Sequence, residues 1–332
     1  MPATADVIEP GQLPWYRKSV PALFVLLIAC SFGGTFVYKL RVEGIFACPA
    51  TGYSPNAYLS DCTAGTYGDY DHGAFWFGLE PQAQRAAGEA DVLFVGNSRL
   101  QFAFGGQATA SWFSSPAIRY YLLGFSNSET VAFFGPLLSK MHPRAKVYVI
   151  NVDRLFDERV SPPTEQILQG RDVLARYEEK RNWQSLHRRF CAALPAACGD
   201  AFATYRTRET GVWQMKGGGR FEPRLVSDGP PTYVERWDRY ARLGEKFLAQ
   251  LPVDRSCVIL TIVPTVETKR AEAMALAAKL GHDLLAPQVD GLHTFDGSHL
   301  DEASAERWSA AFLREAGLRI RRCVGATQAS TG

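Results

Sequence analysis

The feature that most constrains this chain is a long apolar run near its N-terminus. Residues 19–38, SVPALFVLLIACSFGGTFVY, carry no charged side chain. A helix of about twenty residues, at about 1.5 Å of rise per residue, matches a hydrocarbon core of about 30 Å. A buried core helix and a cleaved signal peptide are the alternatives, although the apolar part of a signal peptide usually has only about 7–15 residues. We therefore expect residues 19–38 to be an uncleaved transmembrane anchor.

The orientation of this anchor is not fixed by its flanking charges, because two basic residues lie on each side of it. The cysteines give a direction, since six of the seven follow the span. An even number of cysteines outside the cytoplasm is typical of disulfide pairing. Among the fifteen possible pairings of six cysteines, local pairing favours Cys48 with Cys62 and Cys191 with Cys198, which leaves Cys257 with Cys323. We expect an inner-membrane protein with a periplasmic C-terminal part.

The organisation of the chain follows from changes in its pattern. We expect residues 1–18 to be a cytoplasmic leader and residues 39–89 to be an irregular extracytoplasmic segment. A main domain then covers residues 90–325, and the pattern within it lapses between about 155 and 234, where we expect an insertion. The length of 332 residues suits one such domain plus an anchor.

The main domain alternates short apolar runs with segments of helical periodicity. This alternation predicts an α/β fold with a parallel sheet. The predicted strands are residues 91–95, 118–123, 146–151 and 257–263. The predicted helices are residues 127–141, 235–250, 268–280 and 301–316.

Several functional classes have no support in the sequence. The net charge is only +2, from 36 basic and 34 acidic residues, and no basic stripe or nucleic-acid-binding motif accompanies it. No CxxC pair or His/Cys cluster has zinc spacing, and the glycines at 217–219 lack the lysine of a phosphate loop. We expect no nucleic acid, metal or cofactor to be bound.

The first candidate for chemistry is Ser98, in the segment DVLFVGNSRL. A serine becomes a useful nucleophile when a rigid turn holds it beside a base. A turn leaving a parallel strand would place the hydroxyl at the carboxyl edge of the sheet. Gly-Asn-Ser is also ordinary turn chemistry, so a partner is needed.

That partner is expected in FDGSHLD, where Asp296 and His299 are three residues apart before the last predicted helix. A base must reach the serine hydroxyl and be oriented by a carboxylate. The same spacing occurs at Asp69 with His72, for which we expect local bonding and not catalysis, and at Asp290 with His293. Asp296 and His299 are preferred because the amphipathic helix directly after them would hold them in place.

These two segments resemble the SGNH/GDSL hydrolase family, in which a Gly-Asp-Ser-type block follows the first strand and an Asp-x-x-His block precedes the last helix. GNSR (96–99) and DGSH (296–299) match these blocks. The resemblance covers roughly residues 90–320. It implies a flavodoxin-like three-layer α/β/α domain with Ser98 as nucleophile, His299 as general base and Asp296 as its orienting carboxylate.

The family's two intermediate blocks match less closely. They supply a glycine and an asparagine that stabilise the oxyanion, and the resemblance assigns these roles to Gly124 and Asn151, with Asn127 as the fallback. The usual Gly-x-Asn-Asp motif is absent around Asn151, where the sequence is INVDRLF. Arg99, next to the serine, is a candidate for binding an anionic or sugar substrate, or else a solvated or paired arginine.

The expected function is that of an extracytoplasmic serine esterase or O-acyltransferase acting on acyl groups of a cell-surface glycan. The single anchor is similar to that of the membrane-tethered SGNH-like proteins of alginate acetylation and teichoic-acid D-alanylation. That resemblance implies a multi-span O-acyltransferase as partner. The alternatives are a catalytically inactive binding or assembly subunit and a structural protein with no glycan role.

Overall fold

The computed structural model describes residues 14–63, 67–115, 117–126, 128–219, 221–230 and 237–329. Its helices are α1 (Pro14–Val42), α2 (Asp71–Phe77), α3 (Pro81–Glu89), α4 (Ser98–Phe104), α5 (Gln107–Ser114), α6 (Val131–Met141), α7 (Pro162–Gln169), α8 (Val173–Ala193), α9 (Trp237–Leu248), α10 (Arg270–Lys279) and α11 (Glu302–Ala329). Its strands are β1 (Ala57–Cys62), β2 (Gly68–Asp69), β3 (Val92–Asn97), β4 (Tyr120–Phe125), β5 (Val147–Asn151), β6 (Ala203–Thr207), β7 (Trp213–Lys216), β8 (Arg224–Leu225), β9 (Val258–Thr261) and β10 (His293–Thr294).

Helix α1 contains the apolar run. Its part Ser19–Val42 is long and apolar enough to cross a membrane, and the most apolar window within it is 0% buried against the rest of the described chain. A core helix would be covered by other elements, so this exposure argues against the core-helix alternative. A single-pass anchor and a signal sequence both fit the helix.

Three disulfides link the part of the chain that follows α1. They join Cys48 to Cys62, Cys191 to Cys198, and Cys257 to Cys323, so the expected pairing is confirmed. Disulfides persist in oxidising compartments, which indicates that the folded part lies outside the cytoplasm. Cys30, in the apolar helix, is free.

The centre of the fold is a four-stranded parallel sheet with the order β4-β3-β5-β9. Side chains of β3 alternate between its faces, with Val92 and Phe94 in one buried cluster and Leu93 and Val95 in another. The first cluster includes residues of α4, α5 and α11, and the second includes residues of α2, α3, α6, α9 and α10. The predicted mixed α/β fold with a parallel sheet is confirmed.

A second four-stranded sheet has the order β2-β1-β6-β7 and is antiparallel. Strands β1 and β2 come from the segment 39–89, while β6 and β7 come from the insertion at 155–234. The two regions that look irregular in sequence therefore fold together. Arg206 of β6 is fully buried in an ion pair with Asp71, and its guanidinium also donates to the carbonyl oxygens of Leu122 and Gly124 on β4.

Candidate active site

Ser98 is the first residue of α4 and directly follows the end of β3. The Oδ1 atom of Asn97 accepts a hydrogen bond from the backbone N–H of Arg99 at 3.1 Å, which caps α4. A Cβ on Gly96 would lie 2.9 Å from the Cβ of Asn151, so only glycine permits this approach of β3 to β5. The strand thus ends in a tight turn that carries Ser98 at the carboxyl edge of the parallel sheet.

The turn that precedes α11 holds Asp296 and His299 together. The Oδ1 atom of Asp296 accepts hydrogen bonds from the backbone N–H groups of Ser298 and His299, each at 2.9 Å. Gly297 has a φ of 87°, a left-handed conformation that glycine adopts without a steric cost. The other carboxylate oxygen, Oδ2, lies 2.7 Å from His299 Nδ1. The backbone of the turn therefore orients the carboxylate, and the carboxylate orients the imidazole.

The structure brings the serine and the histidine together. His299 Nε2 lies 2.8 Å from Ser98 Oγ, so Ser98, His299 and Asp296 form one chain of hydrogen bonds. An imidazole that donates from Nδ1 to a carboxylate has Nε2 free to accept the serine proton. Partial burial raises the pKa of Asp296, but hydrogen bonds and charge from His299, with two backbone N–H groups, lower it to about 2. Asp296 is therefore an anion at neutral pH.

The Asp69–His72 pair has the same spacing and a different environment. His72 Nδ1 lies 3.0 Å from an Asp69 carboxylate oxygen, and its Nε2 lies 2.9 Å from Glu129. Glu129 also accepts hydrogen bonds from Ser161 and Thr164 of the α7 region. The local hydrogen bond expected for His72, to Asp69, is therefore present in the structure. The same imidazole also bonds a second carboxylate, that of Glu129.

Burial opposes protonation of His72, but its two carboxylate neighbours outweigh burial and raise its pKa to about 10. This imidazole carries a positive charge at neutral pH. Of the third pair, His293 lies in β10, where its backbone N–H donates to Ser304 Oγ. Neither His72 nor His293 has a hydrogen bond to a candidate nucleophile in the described part of the chain.

Aromatic side chains surround His299. Its ring centroid lies 4.8 Å from that of Phe102 and 5.5 Å from that of Phe295, which stacks on it. Phe102 contacts Trp213, and Phe295 contacts Phe221, both of them from the insertion. Sequence reasoning did not find these residues, because the aromatic positions gave no signal that they share a site. They restrict the ring orientations that His299 can adopt.

The two oxyanion candidates have defined structural contacts. A Cβ on Gly124 would lie 2.8 Å from Gln101 Cγ and 2.9 Å from the carbonyl oxygen of Asn97, so this position requires glycine. Asn151 is fully buried, donates to Asn97 Oδ1 at 3.2 Å and accepts from the backbone N–H of Val263 at 3.3 Å. The structure therefore places Asn151 in contact with the residue preceding Ser98. Asn127 lies outside the described residues.

Arg99 connects three parts of the site. Its Nε donates to Ser298 Oγ at 3.0 Å, and its Nη1 forms an ion pair with Asp153, two residues after the end of β5. Of the two interpretations of Arg99, the paired one is present in the structure. A polar cavity of about 220 Å³ beside this pair is lined by Arg99, Asp153, Arg154 and Gly297, among others. A larger groove of about 1260 Å³ between α6 and α9 shares no lining residue with the Ser98 site.

Metal-ligating side chains meet at one place in the described chain, where His187 lies near Cys191 and Cys198. Both sulfur atoms are used in a disulfide. His187 bonds Tyr53 at 3.0 Å through Nδ1 and the carbonyl oxygen of Cys48 at 2.9 Å through Nε2. These three side chains hold the fold together and leave no ligand set for a metal while the disulfide is intact.

Comparison of the chain with protein-family models, with curated proteins and with solved structures gives no match. The resemblance to SGNH/GDSL hydrolases rests on the motifs GNSR and DGSH alone.

Proposed function

We propose that this protein is a membrane-anchored, extracytoplasmic serine esterase or O-acyltransferase of the SGNH/GDSL type. The observation that carries the proposal is the hydrogen-bond chain from Ser98 Oγ through His299 to Asp296, with distances of 2.8 and 2.7 Å. Both lie within the reach of about 2.6–3.2 Å that proton transfer requires. The three residues are separated by up to 201 positions in sequence, which makes a chance arrangement of turn residues a poor explanation.

The order of strands supports the finer part of the fold proposal. Numbered along the chain within the parallel sheet, the order β4-β3-β5-β9 reads 2-1-3-4, the order with which a flavodoxin-like sheet begins. Buried clusters on both faces of the sheet favour a three-layer α/β/α arrangement. In such a sheet, ligands bind beyond the carboxyl ends of the strands, where Ser98 lies.

The site geometry supports the following reaction. Ser98 Oγ attacks the carbonyl carbon of an ester while His299 Nε2 takes the hydroxyl proton, and Asp296 stabilises the imidazolium that forms. Collapse of the tetrahedral intermediate breaks the bond to the leaving oxygen, to which His299 returns the proton. Water or a sugar hydroxyl then attacks the acyl-serine and gives hydrolysis or transfer, respectively. The backbone amides of Ser98 and Gly124 and the remaining amide hydrogen of Asn151 are the proposed oxyanion donors.

The proposed setting is the outer face of the inner membrane. Helix α1 would be an uncleaved anchor, and the three disulfides fit an oxidising periplasm. The proposed substrate is an acylated cell-surface glycan, and a multi-span O-acyltransferase is the proposed partner. Arg99 would bind substrate that enters the adjacent cavity, and it would keep its ion pair with Asp153.

A catalytically inactive binding subunit is the second candidate. The hydrogen bond that Asn151 donates to Asn97 favours it, because it uses one of the two amide hydrogens that could contact an oxyanion. Losing one oxyanion donor typically costs about 10²–10³ in rate.

A fluorophosphonate probe tests the proposal, since such probes react covalently with activated serines. Purified protein should be labelled at one site, and Ser98→Ala should abolish labelling, whereas Ser114→Ala on α5 should leave it unchanged. The acyl-enzyme should also form from a small activated ester. Absence of both reactions in folded wild-type protein would exclude the esterase and support the binding subunit.

A further inference from the structure

The chain leaves the apolar helix α1 beside the C-terminal end of α8. Arg41 Nη1, in the last turn of α1, donates to the carbonyl oxygen of Ala196 at 2.9 Å. The backbone N–H of Gly199 donates to the carbonyl oxygen of Phe46 at 2.8 Å. The segment that follows α1 is thus hydrogen-bonded to the turn that follows α8.

Aromatic packing and disulfides fix the same junction. The ring centroid of Phe46 lies 5.1 Å from that of Phe190 and 6.2 Å from that of Trp183, both on α8. One disulfide, Cys191–Cys198, joins the end of α8 to the following turn, and another, Cys48–Cys62, joins the segment after α1 to β1. Helix α8 therefore has a fixed position relative to the point where the chain leaves α1.

An exposed apolar stripe runs along α8 next to this junction. Trp183, Leu186 and Leu194 are 42%, 47% and 55% exposed. At about 100° per residue, Trp183 and Leu186 fall on one side of the helix, the same side as Phe190. Leu194 directly follows the last helical residue, Ala193. Single exposed apolar residues are ordinary on the surface of a soluble protein. A contiguous stripe of them is typical of a surface that contacts a membrane or another protein.

The charges of this half of α8 are of one sign. Residues 180–199 contain no acidic residue, and Arg181, Arg188 and Arg189 are exposed there. A helix with an apolar stripe, a tryptophan and flanking arginines has the composition of helices that lie in the headgroup region of a bilayer. Anionic headgroups attract such arginines.

We propose that the exposed apolar stripe formed by Trp183 and Leu186 of α8, with Leu194 directly after the helix, lies on the outer surface of the bilayer that α1 spans. The inference rests on the proposed anchoring by α1. The bilayer is the occupant because the stripe is continuous with the exit of a membrane-length helix. Contact of α8 with the lipid would fix the orientation of the catalytic domain relative to the membrane, instead of leaving it free to rotate about a single tether.

Photo-crosslinking to lipid tests this contact in the full-length protein. The protein is placed in nanodiscs of phosphatidylcholine and phosphatidylglycerol, with a photoreactive benzoylphenylalanine in place of Leu186. The matched control carries the same group in place of Leu318, which is 77% exposed on α11, a helix that packs on α4 and α5. Lipid adducts should form at position 186 at least about fivefold more often than at position 318. Arg188→Glu with Arg189→Glu should reduce the adducts at 186.

Equal adduct yields at the two positions would overturn the inference, as would adducts at position 186 that contain another protein in place of lipid when the experiment is made in cells. The N-terminus of the mature protein tests the anchor separately. An intact α1 without lipid adducts refutes only the contact of α8, whereas removal of α1 refutes the anchor and the contact together. Fluorophosphonate labelling of the same samples reports on the serine chemistry independently.

Discussion

Two Asp-x-x-His pairs of this chain, Asp69 with His72 and Asp296 with His299, have similar local geometry. In each pair, Nδ1 of the imidazole contacts the carboxylate three residues earlier, at 3.0 and 2.7 Å. They differ in the group that contacts Nε2, which is the carboxylate of Glu129 for His72 and the hydroxyl of Ser98 for His299.

This difference decides what each imidazole can do. An imidazole between two carboxylates in a buried site keeps its proton, because the two anions stabilise its charge. An imidazole between one carboxylate and a hydroxyl can accept the hydroxyl proton. The same sequence spacing therefore serves as an internal ion pair in one region and as a candidate base in the other, and the partner of Nε2 distinguishes them.

The strongest test of this comparison is His299→Gln. Removal of the base from a serine site costs up to about 10⁶ in kcat, so hydrolysis of an activated ester should fall to the limit of detection. Because His299 is partly exposed, the melting temperature should change by only a few degrees. His293→Gln, six residues earlier, is the matched control and should retain activity within about threefold of wild type. Loss of activity in His293→Gln instead of His299→Gln would show that the base is His293.

His72→Gln should have the reverse effect. It removes the cation between the buried carboxylate of Glu129 and the half-buried carboxylate of Asp69. Breaking a buried ion pair costs about 3–5 kcal/mol of unfolding free energy. Urea denaturation followed by circular dichroism measures this loss. The fraction that remains folded should react with a fluorophosphonate at nearly the wild-type rate. A stable His72→Gln protein with an unreactive serine would show that His72 takes part in the chemistry.

A smaller effect is expected in the dependence of stability on pH. The pKa of His72 is raised from 6.5 in the unfolded chain to about 10 in the folded protein. The stabilisation from its protonated form is therefore complete below pH 6.5 and is lost as the pH rises towards 10. Between pH 7 and pH 10 the wild type should lose at least about 1 kcal/mol more than His72→Gln does. Parallel pH profiles would contradict the assigned charge of His72.

Local patterns in the sequence were sufficient for the parallel sheet and for the choice of Asp296 and His299 as a candidate pair. Each predicted strand overlaps an observed one, because buried parallel strands are short apolar runs bounded by turns. Asp296 and His299 were preferred over the two other pairs of the same spacing because an amphipathic helix directly follows them. The resemblance then supported the assignment of this pair to Ser98, because nothing local in the sequence shows that residues 201 positions apart meet.

Sequence patterns did not predict the pairing of strands that lie far apart in the chain. Strand β1 pairs with β6 across more than a hundred residues, and neither strand lies in a segment with clear periodicity. Helix α11, predicted to cover residues 301–316, continues to Ala329 because Ile320 and Cys323 are buried against the sheet cluster and a disulfide holds Cys323 to Cys257. These outcomes depend on tertiary contacts, which override local propensity.

The buried guanidinium of Arg206 has a consequence for folding. Its ion pair with Asp71 and its hydrogen bonds to the carbonyl oxygens of Leu122 and Gly124 join the antiparallel sheet to the end of β4. Separating the two sheets would expose this cation and break all of these bonds at once. The insertion therefore does not unfold independently of the parallel sheet. Amide protons of β6 and of β4 should exchange with solvent in the same cooperative opening.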